Sequence, residues 1–330
     1  MRVSRRSMLA GTAAGVLAPA VGVAGTASAA GLTRQITIYA EALPGGLYGY
    51  GLEPGKATIP GPLLEVYEGD TLEIELVNRT TQRLSIHPHG VTYDTASDGA
   101  PLNASFNKPG ETRTYTWRTR TRYDAGGGFW MPGSAGYWHY HDHAMGTDHG
   151  TGGLARGLYG GLIVRKRGDL LPSKQYTVVF NEMMINHQMA PDTPMFEARL
   201  GERVEWVCIG YGSLPHTFHL HGHRWADTRT GMLGSAADNA AIVDNKNLDP
   251  GSSFGFQVLA GEGAGPGVWM YHCHVQTHSD GGMVGLFLVR NADGSLPDGA
   301  QDAIDRFKQH EHAGHDTNSD ARTHARGGEL

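Results

Sequence analysis

The sequence predicts an all-β protein built as two tandem β-sandwich domains, and three observations carry that prediction. Apolar and polar residues alternate in short runs, as where Leu72, Ile74 and Leu76 interleave with Glu73 and Glu75, which is the period of a strand with one buried face. Turn formers are abundant, with 48 Gly and 16 Pro among 330 residues, and they punctuate the runs at short intervals. The chain also repeats itself. Residues 65–73 return as 197–205 at an offset of 132, ungapped as far as Ser85-Ile86-His87-Pro88-His89-Gly90, which returns as Thr217-Phe218-His219-Leu220-His221-Gly222. Further on, Gly136-Tyr137-Trp138-His139-Tyr140-His141-Asp142-His143 returns as Gly267-Val268-Trp269-Met270-Tyr271-His272-Cys273-His274 at an offset of 131. A chain of this length exceeds the roughly 250 residues at which a single core stops growing, so two homologous domains are the economical reading.

Taken in order, residues 1–29 read as an export signal. Arg5-Arg6 precedes a weakly apolar stretch that ends in Ala27-Ser28-Ala29, a pattern of the twin-arginine type. Gly, Pro and Thr interrupt the stretch, so it is a poor membrane anchor. The first domain is expected over 30–168 and the second over 169–291, divided in the charged loop Lys166-Arg167-Gly168-Asp169-Leu170-Leu171-Pro172-Ser173-Lys174. A polar, His-containing tail follows over 292–330, with one short helical segment at residues 301–309. The net charge of −6 falls to −9 when Arg2, Arg5 and Arg6 leave with the signal, which argues against a nucleic-acid partner.

The chemistry lies in the histidines. Of 18 in the chain, most fall in four clusters: His87 and His89; His139, His141 and His143; His216, His219 and His221, with His223 trailing; and His272, His274 and His278. The last contains Cys273 and is followed by Met283. Two His, one Cys and an axial Met are the ligands of a blue-copper site. Successive residues of a strand point to opposite faces, so Cys273 on one metal leaves His272 and His274 free to bind others. Cys208 sits in the apolar run Val204-Glu205-Trp206-Val207-Cys208-Ile209 and reads as an inert buried thiol.

The repeat sorts these residues. It matches His141 and His143 to His272 and His274, and sets His139 opposite Met270, which removes His139 from the ligands. Two His pairs per domain make eight imidazoles, enough for three further coppers. The positions of His216, Cys273, His278 and Met283 are Leu84, Asp142, Thr147 and Gly152 in the first half, so only the second half can form the blue site.

The four motifs resemble those of the multicopper oxidases, and the two-domain layout is similar to that of the small bacterial laccases. The resemblance covers nearly all of residues 31–290 and implies two cupredoxin-like Greek-key sandwiches with four coppers per chain. By motif, His216, Cys273, His278 and Met283 would bind type 1 copper; His87 and His219 type 2; and His89, His141, His143, His221, His272 and His274 the type 3 pair. It further implies one-electron oxidation of phenols or aromatic amines, electron transfer through Cys273, and four-electron reduction of O2 to water. Asp98 resembles the family's acidic residue and is the expected proton donor, although its offset counterpart is Thr230 and its setting, Asp98-Gly99-Ala100-Pro101, also suits a turn. Tyr93 and Trp269 lie near the clusters, and their aromatic counterparts Trp225 and Trp138 favour packing. Met183, Met184, Met189 and Met195 are potential cuprous ligands or gap fillers. Each domain supplies half of the trinuclear ligands, which implies a homotrimeric ring with clusters between chains. A cuprous or manganese oxidase, and a copper nitrite reductase, are the enzymatic alternatives.

Overall fold

The computed structural model describes residues 31–309; the export segment and His310, His312 and His315 lie outside them. The first domain contains β1 (Thr33–Leu43), β2 (Leu47–Gly51), β3 (Gly61–Tyr67), β4 (Thr71–Asn78), β5 (His87–Pro88), β6 (Thr112–Arg118), the hairpin β7 (Tyr123–Asp124) and β8 (Trp130–Met131), β9 (Gly136–His141), the short helix α1 (Thr151–Leu154) and β10 (Tyr159–Arg165). Its two sheets run β2-β1-β4-β6 and β3-β10-β9-β5. The second domain contains β11 (Lys174–Asn181), β12 (Met184–Ile185), β13 (Met195–Arg199), β14 (Arg203–Tyr211), β15 (Thr217–Leu220), β16 (Trp225–Ala226), β17 (Ile242–Val243), β18 (Asn245–Asn247), β19 (Ser253–Leu259), β20 (Gly267–Cys273), α2 (Gln276–Asp280), β21 (Val284–Arg290) and α3 (Ala300–Gln309). Its sheets run β12-β11-β14-β19 and β13-β21-β20-β15-β18.

The all-β expectation holds, and the sheets are mixed, with parallel as well as antiparallel pairs. β1 runs parallel to β4 and β3 to β10, and the same relation joins β11 to β14 and β13 to β21. The reason lies in the repeated turn. Between β3 and β4 the chain turns at Gly69 (φ 95°), and between β13 and β14 at Gly201 (φ 81°). Each turn carries the chain from one sheet to the other, where the incoming strand lies beside the domain's first strand in the same direction.

Each sandwich closes over its own core. Tyr50, Trp117 and Tyr140 centre the first; Trp206, Phe218, Tyr271 and Phe287 centre the second. Cys208 belongs to the second core with no exposed surface and no disulfide, and burial pushes its thiol well above the ordinary range. That is the inert thiol the sequence implied.

A third apolar cluster joins the domains: Tyr137, Tyr159 and Ile163 from the first meet Val179, Val207, Ile209 and Tyr211 from the second. At one end of it Arg165, 1% exposed, makes a two-pronged contact with the fully buried Glu205 at 3.0 and 2.6 Å. Glu205 also accepts from Tyr137 Oη (2.7 Å), Gln175 (2.9 Å) and Gln257 (2.9 Å), while Arg165 reaches Glu65 at 2.9 Å. A buried ion pair is favourable only when its remaining lone pairs are satisfied, and here both domains contribute to satisfying them.

The chain beyond β21 is not wholly a polar tail. α3 covers the short helical segment expected at 301–309, and its Ala300 and Ile304 pack on Leu286 and Leu288.

Candidate metal centres

Strand pairing places the histidines. β5 pairs with β9 so that His87 stands opposite His141, and β15 pairs with β20 so that His219 stands opposite His272. Cross-strand neighbours on one face lie about 5 Å apart, so two His-x-His segments laid side by side converge. The Gly that ends each first motif is required by an indole. Gly90 (φ 76°) and Gly222 (φ 69°) pass beneath Trp138 and Trp269, and a Cβ there would meet ring atoms at 2.0 and 2.9 Å. Trp138 and Trp269 are therefore packing residues that press the motif strand onto its partner, the role favoured from sequence.

Nine of the twelve expected ligands fall into three groups whose donor atoms lie within 4.8 Å of one another: His87, His89 and His141; His216, Cys273 and His278; and His219, His221 and His272. His143 borders the first group, 5.0 Å from His87 between ring centroids, and His274 borders the third, 5.3 Å from His219. Among the described residues no group mixes the two domains.

In the second group Cys273 Sγ lies 3.7 Å from His216 Nδ1 and 3.6 Å from His278 Nδ1, and the two nitrogens are 3.3 Å apart. Met283 is wholly buried in the same core, and its backbone pairs with both His278 and Cys273. Burial raises the Cys273 thiol above its ordinary range, and burial followed by the neighbouring His278 lowers His216 to about 4. Two neutral imidazoles and a thiol facing one desolvated point suit a metal cation, which would favour the thiolate.

The alternation expected along β20 is present. His272 is half-buried, Cys273 buried and His274 exposed, with Cys273 turned to the core and its neighbours to the other face.

The imidazole groups share one tautomer. The Nδ1–H of His87 donates to Asp98 O, that of His141 to Asp142 O (2.7 Å), that of His219 to Asp244 O (2.7 Å) and that of His272 to Cys273 O (2.7 Å). Each ring therefore turns a bare Nε2 into its cluster, the form a metal requires. Nε2 atoms approach one another at 3.1 Å in His89–His141 and at 3.0 Å in His221–His272. Burial lowers His89 and His221 to about 4 and holds His141 well below its ordinary value, which keeps these three rings neutral. The donors thus fit copper: nitrogen and thiolate sulfur at one centre, nitrogen alone at the others.

The offset misled at one residue. Asp98 and Asp244 hold the first histidines of the two motifs in the same way, although Asp98 follows His89 by 9 residues and Asp244 follows His221 by 23. The structural counterpart of Asp98 is therefore Asp244, not Thr230. An insertion before it and a deletion after it cancel in the offset. The Asp98 carboxylate lies 3.4 Å from His87 Nδ1 and accepts from Asn103.

In the first domain, the place of the thiolate is filled. Asp142, wholly buried, accepts from the backbone N–H of Ser85 (2.7 Å), Met145 (2.7 Å) and Ala144 (3.2 Å). Burial outweighs these bonds and raises its carboxyl to about 7. Leu84 stands in the place of His216, fully buried.

Comparison with known proteins agrees with this layout. Two family models, each described as multicopper oxidase, match residues 56–169 and 169–293. A probable nitrite reductase-hydroxylamine oxidoreductase fusion protein of Kuenenia stuttgartiensis is 34% identical over 266 residues, 73% of this chain and 29% of its own length. A ferroxidase of Mus musculus is 27% identical over 294 residues, 72% of this chain and 23% of its own length. The chain thus spans less than a third of either relative. Among solved structures, a blue copper oxidase from Nitrosomonas europaea shares the fold, with a TM-score of 0.56 at 24% identity over 79% of this chain and 86% of that one. Two adjoining family matches that run through both sandwiches, on a chain whose histidines gather as described, place it: this protein belongs to the multicopper oxidase family.

Proposed function

We propose that the protein is a laccase-type oxidase, which removes single electrons from phenols or aromatic amines and delivers them to O2, reduced to water. The observation that carries this reading is the alternation along β20, where Cys273 faces one donor group and the adjoining His272 and His274 face another. Copper, once bound, would supply one-electron exchange at the first group and O2 reduction at the second. In this reading His216, Cys273, His278 and Met283 hold type 1 copper; His87 and His219 hold type 2; and His89, His141, His143, His221, His272 and His274 hold the type 3 pair, four coppers per chain.

The chain's own contribution is placement. His278, at 9% exposure against 1% for His216, offers the ring edge nearest solvent to a reductant. Asp98 and Asp244 orient His87 and His219 through their carbonyls and keep carboxylates close by, Asp98 serving as proton donor. Since neither imidazole group draws on both domains, completion of the cluster calls for a second copy, and head-to-tail contacts close into a ring, here of three chains. The leader adds export by the twin-arginine route to this reading.

Oxidation of a metal ion is the second reading, favoured by Glu182 and Asp249. Both place negative charge near His216, and Glu182 is held there by Ser213 N–H at 2.9 Å. The mouse relative is itself named a ferroxidase. Metal analysis, visible and EPR spectra, native mass and O2 uptake with a phenol, Fe(II), Cu(I) and Mn(II) separate these readings. Four coppers per chain, a trimer and phenol-driven O2 uptake are expected. Turnover with metal ions alone overturns the phenol reading, nitrite consumption without O2 uptake overturns both, and a fully active monomer removes the ring.

A further inference from the structure

His139, set aside as a ligand by the repeat, lies against the first imidazole group. It is 1% exposed and stacks on His89 at 3.9 Å between ring centroids, 21° from parallel. Both of its nitrogens are engaged by the other domain: Nδ1 with Tyr211 Oη at 2.6 Å and Nε2 with Gly251 O at 3.2 Å. A carbonyl can only accept, so Nε2 carries the proton, Nδ1 is bare and the Tyr211 hydroxyl donates to it. Tyr211 O–H has a longer alternative acceptor in Tyr140 O at 3.4 Å. Its ring also meets His141 edge-on at 5.5 Å.

The duplication provides an internal control. In the second half the position of His139 is taken by Met270, 40% exposed, which cannot form this pair of hydrogen bonds. The ring planes of the two imidazole groups agree except at one member. Angles that leave out His89 and its counterpart His221 are close: 67° for His87–His141 against 82° for His219–His272, 60° for His87–His143 against 62° for His219–His274, and 30° for His141–His143 against 38° for His272–His274. Angles that include it diverge: 90° for His87–His89 against 52° for His219–His221, and 28° for His89–His141 against 67° for His221–His272. The ring that is turned is the one on which His139 stacks.

We propose that His139, locked by Tyr211 and Gly251, is a positioning residue through which the second domain sets the plane of His89. The two halves of the cluster are thereby given different imidazole orientations. This rests on the reading of His89 as a copper ligand. The orienting chain is Tyr211 hydroxyl to His139 ring to His89 ring, and it works only while the two domains of one chain are docked.

The test uses the copper-loaded full chain with three variants: His139→Met, which copies the second half; Tyr211→Phe, which keeps the ring and removes the hydroxyl; and His89→Ala. Outer-shell partners of metal-bound histidine are worth about 10- to 100-fold in affinity. His139→Met is expected to weaken copper retention outside the blue site by that factor, and Tyr211→Phe by less. Both should alter the EPR signal of the non-blue copper and leave the blue absorption unchanged. His89→Ala separates the two layers. If it leaves copper content intact, the ligand reading fails; if it loses copper while His139→Met and Tyr211→Phe match the wild type in retention and EPR, the positioning proposal is overturned. Nitrogen NMR of the metal-free wild type gives a check independent of any variant: an Nε2–H tautomer at His139 is expected, and an Nδ1–H tautomer overturns the proposal.

Discussion

β9 and β20 hold the same place in their domains and differ in what covers them. The outward face of β9, carrying Tyr137, His139 and His141, lies against the second domain, where Tyr137 meets Glu205 and His139 meets Tyr211. The matching face of β20 carries Val268, Met270 and His272. There α3 takes the covering role at Val268, together with Leu286 and Leu288, and Met270 is left 40% exposed. The repeated frame fixes which residues converge; the element packed on its outside fixes how firmly, and in which plane, they are held. One imidazole group is therefore covered inside the chain, while the other presents an open face.

The largest test of this contrast makes the second domain resemble the first. Cys273→Asp copies the residue at Asp142 and should abolish the blue absorption. Turnover should fall by at least ~1,000-fold, as for loss of one member of a unit that works together, with copper at the imidazole groups retained by metal analysis. Persistent turnover would mean that electrons do not pass through Cys273. Next is the cover on β9. Glu205→Ala removes the fully buried partner of Arg165 and leaves it Glu65 alone, which should cost about 3 kcal/mol in denaturant unfolding, with hydrogen exchange rising in β9 and not in β20. Exchange that rises equally in both would show that docking is not what holds β9.

The cover on β20 should matter less. Ile304→Ala removes a buried side chain at the edge of a small cluster and is expected to cost about 2 kcal/mol, with exchange rising in β20 alone. The smallest effect concerns pH in the metal-free protein. His139 is lowered to about 3 and His89 to about 4, chiefly by burial. Since the unfolded chain takes up these protons first, stability present above pH 6.5 is lost as pH falls from 6.5 toward 4 for His89 and toward 3 for His139. The β9–β14 contact should lose exchange protection before β20–β21 does. The reverse order would place the acid-sensitive contact in the second domain.

Much of this was legible in the sequence because it follows from short-range rules. A two-residue period located the strands, the internal repeat aligned the histidine pairs, and the alternation around Cys273 separated two donor groups. Three features were not legible. The mixed sheets depend on which sheet a strand joins after Gly69 or Gly201, and periodicity does not record that. The pairing of Asp98 with Asp244 was hidden by length changes that cancel. The repeat set His139 apart from the expected ligands, yet its partners Tyr211 and Gly251 lie 72 and 112 residues away, beyond the reach of local pattern. The spacing of the motifs showed which atoms meet, and gave nothing about the docking that orients them.

Arg165 and its carboxylates tie the two sandwiches together, and for the proposed ring that tie has a geometric consequence. A closed ring requires each copy to contribute the same rotation, and small errors in that rotation accumulate around the circle until the last contact fails to form. An angle set by a buried guanidinium, gripped on two prongs by one domain and anchored in the other, is decided before any two copies meet. The number of chains in such a ring would then be inscribed in the interior of each one, and the surface between copies would only have to accept it.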